Sequence, residues 1–102
     1  MTTITEIVTM KTAEEITKEE FISIVDGLEK EYHSKQPGFI DTELLYDSNS
    51  NEWIMIQHWA SMEELKASSK KLFQAKESAL FVKTLDSKSV KMKVIPQIKR
   101  WK

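Results

Sequence analysis

The run Trp53-Ile54-Met55-Ile56-Gln57-His58-Trp59 constrains this chain more than any other stretch. Its β-branched and aromatic residues favour extended backbone, and in a strand successive side chains leave on opposite faces. Trp53, Met55, Gln57 and Trp59 therefore share one face, and Ile54, Ile56 and His58 share the other. Neither face is built for water. A strand of this kind belongs in a sheet covered twice, once by the chain's own helices and once by another body, and a second copy of the chain is the economical candidate.

The flanking sequence supplies the rest of such a sheet. From Thr3 to Lys11 apolar and polar residues alternate, with Ile4, Val8 and Met10 on one side and Thr5, Ile7 and Thr9 on the other, which predicts a strand. Thr17 and Glu20 have capping-box spacing, and Ile16 and Phe21 can close a hydrophobic staple, so a helix starts at Thr17. Its stripe of Phe21, Ile24, Val25, Leu28 and Tyr32 faces the sheet, and Pro37-Gly38 ends it. Gly27 weakens that helix locally, and close packing of the backbone on the sheet is the expected reason for it. Phe39 to Asp47 and Glu52 to Trp59 form a hairpin across the turn Asp47-Ser48-Asn49-Ser50-Asn51.

Ser61 and Glu64 form a second capping box, opening a helix whose apolar positions are Met62, Leu65, Leu72 and Phe73. A break is expected near Lys70 to Phe73, with an uneven continuation to Val82. Val90, Met92 and Val94 alternate with lysines, and Pro96 marks an edge strand or an end. The order β-α-β-β-α-β predicts an α+β, ferredoxin-like domain: a four-stranded antiparallel sheet with both helices on one face.

A length of 102 residues fits one domain, residues 1–102. The absence of cysteine removes disulfides, thiolate nucleophiles and cysteine-ligated metals, and suits a reducing compartment. The N-terminal residues lack a secretory pattern and no stretch approaches membrane-spanning length, so a cytoplasmic protein without a membrane partner is expected. With 15 basic against 16 acidic residues there is no global field for nucleic acid. Lys91, Lys93, Lys99, Arg100 and Lys102 cluster late in the chain, but a solvated tail explains them. Two glycines leave no phosphate-binding loop, and no nucleophile is paired with a base.

The run Gln36-Pro37-Gly38-Phe39-Ile40-Asp41-Thr42-Glu43-Leu44-Leu45-Tyr46, followed by Trp53 to Leu65 with its Trp two residues ahead of the Ser cap, resembles the antibiotic-biosynthesis monooxygenase family. The resemblance implies a homodimer whose sheets face each other in a dimeric α+β barrel. It also implies a pocket between the bare sheet face and the helices of the same subunit, open to a flat aromatic substrate or a haem. In the cofactor-independent oxygenases of polyketide tailoring, the Trp matching Trp59 and an Asn four residues earlier lie at the substrate; the earlier position here is Met55, and a hydroxyl-bearing aromatic of the next helix is replaced by Leu65. The haem-degrading branch uses a His late in the second helical region, where this chain reads Gln74-Ala75-Lys76-Glu77-Ser78. No cofactor is therefore expected.

The candidate pocket residues are Trp59, Gln57, Met55, Trp53 and Leu65, with no catalytic group assigned and no metal. Trp59 can stack on a planar ligand, although a buried Trp at a strand end serves a core equally well. Gln57 is the polar group on that face, or a cross-strand hydrogen-bonding partner. His58 falls on the opposite face and takes a structural or surface role. Asp41, Glu43 and Asp47 read as a solvated hairpin edge, since no histidine joins them as a metal ligand. Two functions stay open: a monooxygenase-like homodimer that binds a small apolar or aromatic molecule and oxidises it with dioxygen, or a non-catalytic binding or stress-related protein of the same fold. No base for the first is visible.

Overall fold

The computed structural model describes residues 2–102. The elements are β1 (Ile4–Met10), α1 (Lys18–Glu31), β2 (Phe39–Asp47), β3 (Glu52–Trp59), α2 (Met62–Leu72), α3 (Ala79–Thr84) and β4 (Lys91–Pro96), with 3₁₀ turns at His33–Lys35, Lys76–Ser78 and Ser87–Ser89. The strands pair antiparallel in the order β2-β3-β1-β4, so β4 is an edge strand, as its proline requires. This is the α+β ferredoxin-like arrangement. No helix among the described residues is long and apolar enough to cross a membrane.

Helix α1 begins where the sequence places it. Thr17 accepts from Glu20 N–H at 3.1 Å while the Glu20 carboxylate accepts from Thr17 N–H, closing the capping box. The helix ends at Glu31, earlier than Pro37-Gly38 predicts, because the chain tightens into the 3₁₀ turn at His33. Tyr32 locks that turn: its hydroxyl donates to the Ser68 carbonyl of α2 at 2.6 Å, in a buried contact. The capping box of α2 is only half formed. Ser61 Oγ accepts from Glu64 N–H, but the Glu64 carboxylate takes its hydrogen bond from the Ser61 hydroxyl.

Close packing does not explain Gly27, contrary to expectation, since a Cβ there would meet nothing within 4 Å. Crowding belongs instead to Gly38. It has φ of 82°, and a Cβ would come within 2.4 Å of the Glu64 side chain. The Gly38 carbonyl accepts from Ala60 N–H at 2.8 Å, fixing the entry to β2 against the exit of β3.

The core lies between the sheet and the helices. Met10, Phe21, Val25, Leu28, Tyr32, Trp53, Met55 and Phe81 form its main cluster, and Ile4, Trp59 and Leu65 a second. Trp53 is the hub of the first, with ring centroids 4.7 Å from Phe21 and 4.8 Å from Tyr46. Burial alternates strictly along β3, with Trp53, Met55, Gln57 and Trp59 buried and Ile54, Ile56 and His58 partly exposed.

An irregularity in β2 carries consequences at the site. Phe39 pairs with Trp59 and Asp41 with His58, so Ile40 is an extra residue and the pairing shifts there. Phe39 therefore packs inward against Trp59, while Asp41 joins His58 on the outer face, Oδ1 to Nδ1 at 2.6 Å. Arg100 Nη1 lies 3.9 Å from Asp41 Oδ2, which brings the C-terminal segment back from the β4 edge to the β2 edge.

Candidate functional site

Strand register assembles the site. Glu6 of β1 stands opposite Gln57 of β3, which stands opposite Thr42 of β2, so the inner face of the sheet carries one polar row. The next row is apolar, running from Met92 through Val8 and Met55 to Leu44. Above the two rows lies a cavity of about 100 Å³. Glu6, His33, Gln57 and Trp59 line it together with Met55, and α2, α3 and β4 contribute mostly apolar side chains. Phe73, Val90 and Met92 line it as well and are exposed, so it opens between the end of α2 and the edge strand.

This placement corrects the expected location. The bare face of the sheet takes no part in the cavity, which lies on the face that the helices cover. The physical reason is the break after Leu72, where Ser78 Oγ donates to the carbonyls of Leu72 and Ala75 and holds the chain in a turn. The short α3 then leaves a gap above β1 and β4 that a continuous helix would close.

Three of the anticipated residues, Trp59, Gln57 and Met55, are brought together at the cavity. Two are not. Trp53 lies in the main core beneath Phe21, and Leu65 is buried against Ile4 and Trp59 outside the lining. Glu6 and Glu29 do not stand out in the sequence, and His33 reads there only as a histidine near the end of the first helix that does not match the haem-ligand position. Glu6 sits between Ile4 and Val8 at the inward phase of β1, and that phase was the available signal. His33 follows Glu29 by one helical turn, a spacing compatible with a hydrogen-bonded pair.

The hydrogen bonds are specific. Gln57 Oε1 accepts from Trp59 Nε1–H at 3.3 Å, and Gln57 Nε2 lies 3.1 Å from Thr42 Oγ1, 3.5 Å from Glu29 Oε1 and 3.2 Å from His33 Nδ1. His33 Nδ1 is 2.5 Å from Glu29 Oε2. Glu6 is only 6% exposed, and its carboxyl makes no hydrogen bond to a side chain or backbone among the described residues. Burial pushes this carboxyl above its ordinary value of 4.5, with the positive charge available on His33 acting in the opposite direction. Acids perturbed by burial in this way concentrate at functional sites.

Among the described residues, no group of three or more His, Cys, Asp and Glu side chains is placed to hold a metal. Haem does not fit. The cavity of about 100 Å³ lies well below the roughly 300 Å³ at which pockets for drug-sized ligands begin.

The sequence matches the antibiotic biosynthesis monooxygenase family over residues 3–72. No curated protein matches it. Solved structures share the fold at low identity. SnoaB, a cofactor-independent oxygenase from Streptomyces nogalater, superposes in a single-residue mutant form with a TM-score of 0.74 at 13% identity, covering 96% of this chain and 95% of that one. A Caulobacter crescentus CB15 protein provisionally assigned to the antibiotic biosynthesis monooxygenases gives 0.76 at 16% identity, covering 96% and 92%. A conserved protein from Methanosarcina mazei Go1 gives 0.69 at 18% identity, covering 92% and 91%.

Proposed function

The chain belongs to the antibiotic biosynthesis monooxygenase family, and we propose that it binds a small, largely apolar or aromatic molecule bearing a hydroxyl or enol and oxidises it with dioxygen, without a cofactor. The observation that carries this reading is the polarity of the cavity. Its walls are apolar and its closed end holds Glu6, Gln57 and His33 beside Trp59. A ligand with one polar end and an apolar body matches that division. The volume is smaller than the ~150 Å³ of an apolar cavity that holds benzene, so the cavity takes the polar end of one ring and the rest of the body emerges past Phe73 and Met92.

In this reaction the ligand loses a proton, and the resulting anion is the reductant for dioxygen. For a ligand whose enol is the tautomer of a CH2 group, that carbon gives up both hydrogens and four electrons, one oxygen atom becomes its carbonyl and the other leaves with the two hydrogens as water, so no outside electron donor is needed. The Trp59 indole and the Gln57 amide border the space in which the anion forms. We place the protein in the cytoplasm as a homodimer joined through its bare sheet face, where Ile7, Ile54 and Ile56 are partly exposed and Leu45 and Ile95 are exposed.

Oxygen uptake on a panel of quinols and anthrones tests the reading. Turnover that disappears in Trp59→Ala supports it, and binding without uptake by the wild type replaces it with a non-catalytic binding protein. Met55 is the observation that favours this second reading. It lines the cavity with a thioether, which offers no hydrogen-bond donor to a developing anion.

A further inference from the structure

The closed end of the cavity fixes the tautomer of one histidine. His33 Nδ1 and Glu29 Oε2 are 2.5 Å apart, and a carboxylate offers only lone pairs, so the proton between them resides on Nδ1. Gln57 Nε2, although 3.2 Å from the same nitrogen, then finds no lone pair there, and its hydrogens go to Thr42 Oγ1 and Glu29 Oε1. With Nδ1 protonated, the neutral ring carries its lone pair on Nε2. Nε2 has no hydrogen-bond partner among the described residues. It is not sealed either, since the buried side-chain atom left without a hydrogen bond among the described residues is Ser50 Oγ. The lone pair of a 6% exposed histidine that lines the cavity is thus available to whatever enters it.

The ring cannot easily turn away. Phe39 stacks on it at 5.8 Å, Trp59 meets it edge-on at 6.2 Å and Tyr32 at 5.2 Å. Tyr32 is itself anchored on Ser68. Glu6, also 6% exposed and unpartnered, borders the same space from β1, and its field acts on His33.

We propose that His33 Nε2 is the proton acceptor of this cavity for a ligand whose hydroxyl enters the closed end, with Glu29 as the positioning residue that holds the tautomer. This rests on the reading of the cavity as a site for a hydroxylic ligand. In the step the ligand O–H bond breaks, its electron pair stays on oxygen, and the proton bonds to Nε2. Nothing is oxidised. The imidazolium is neutralised by Glu29. Glu6 from β1, Glu29 from α1 and His33 from the turn after it are the titratable groups facing this end. The remaining elements offer Thr42 from β2, Gln57 and Trp59 from β3, Ser68 and Ser69 from α2, and only apolar side chains from α3 and β4.

The test uses 4-nitrophenol, a single-ring phenol whose anion absorbs in the visible. Binding is measured by equilibrium dialysis and ionisation by absorbance across pH. The wild type is expected to raise the anion fraction of bound probe below the probe's solution pKa by about tenfold or more, equivalent to one pKa unit. His33→Gln should retain binding and lose that gain, and Glu29→Gln should lose part of it. Nitrogen-15 NMR of the unliganded wild type gives a readout that needs no substitution, with Nδ1 protonated and Nε2 bare. A probe that binds without ionising, an anion band that survives His33→Gln, the opposite tautomer, or no binding of the phenol at all would each overturn the proposal. Loss of the oxygenase reading is a separate result: the anion band with no oxygen uptake on any substrate leaves His33 as the proton acceptor of a binding protein.

Discussion

Glu6 and Gln57 face each other across β1 and β3, and they are opposites in hydrogen bonding: the amide is engaged on both its oxygen and its nitrogen, and the carboxyl has no partner among the described residues. Gln57 organises the polar row, while Glu6 stands as an isolated acid at the edge of an apolar cavity. That asymmetry gives stability a pH dependence with a defined sign.

The Glu6 carboxyl is raised above 4.5 by burial. The folded state therefore holds this proton more tightly than the unfolded chain does, and the stability it contributes is present in full below 4.5 and lost as pH rises through the folded value. Glu6→Gln keeps the shape and removes the charge. Its melting temperature relative to wild type should climb across that window and level off above it. Thermal melts of both proteins at a series of pH values check this, and a constant difference at every pH would show that Glu6 is not the group responsible.

The two glycines should respond to alanine in opposite directions. Gly27 lies in α1 with open space at its Cβ position, so Gly27→Ala should stabilise by about 0.4–1 kcal/mol through helix propensity and a less flexible unfolded chain. Gly38 has positive φ and would drive a Cβ into Glu64, so Gly38→Ala should cost on the order of 1–3 kcal/mol. Urea titrations of the pair decide the matter, and equal effects would contradict the local geometry.

His58 lies on the outer face, hydrogen-bonded to Asp41 and away from the cavity. His58→Ala is expected to leave kcat for any substrate found within a few-fold of wild type, as measured by oxygen uptake. A collapse of kcat with an intact circular dichroism spectrum would move the site to the face of Ile54 and Ile56.

That same face predicts association. Sedimentation at micromolar concentration should give twice the chain mass of 11.9 kDa. Ile56 pairs with Ile7 on one side and Glu43 on the other, near the centre of the sheet. Ile56→Lys should shift the population toward monomer by setting a charge into the apolar contact. A wild-type monomer that stays monodisperse would exclude the facing-sheet arrangement.

Much of the fold was legible because its signals are local. Thr17 and Glu20 cap α1 through atoms a few residues apart, and the alternation in β3 needs only the period of a strand. The site was less legible. Glu6 interrupts an apolar row, and its meaning depends on which strands lie beside β1. His33 owes its burial to Tyr32 reaching Ser68, a contact 36 residues away in sequence, and the cavity owes its existence to where α2 stops. The placement of Gly27 misled because a helix glycine does not announce whether its missing side chain faces a neighbour or solvent.

The extra residue at Ile40 acts as a phase shifter between the two sides of the sheet. Upstream of it Phe39 faces inward, and downstream Asp41 faces outward, although in an unbroken strand residues two apart would share a side. Without Ile40 the order Phe39 inward, Asp41 outward, Thr42 inward is that of an unbroken strand, so its deletion would straighten β2 and leave Thr42, Leu44 and Tyr46 on the inner face. The inner and outer surfaces of the sheet are written in the same nine residues of β2, and the bulge absorbs Ile40 without disturbing either.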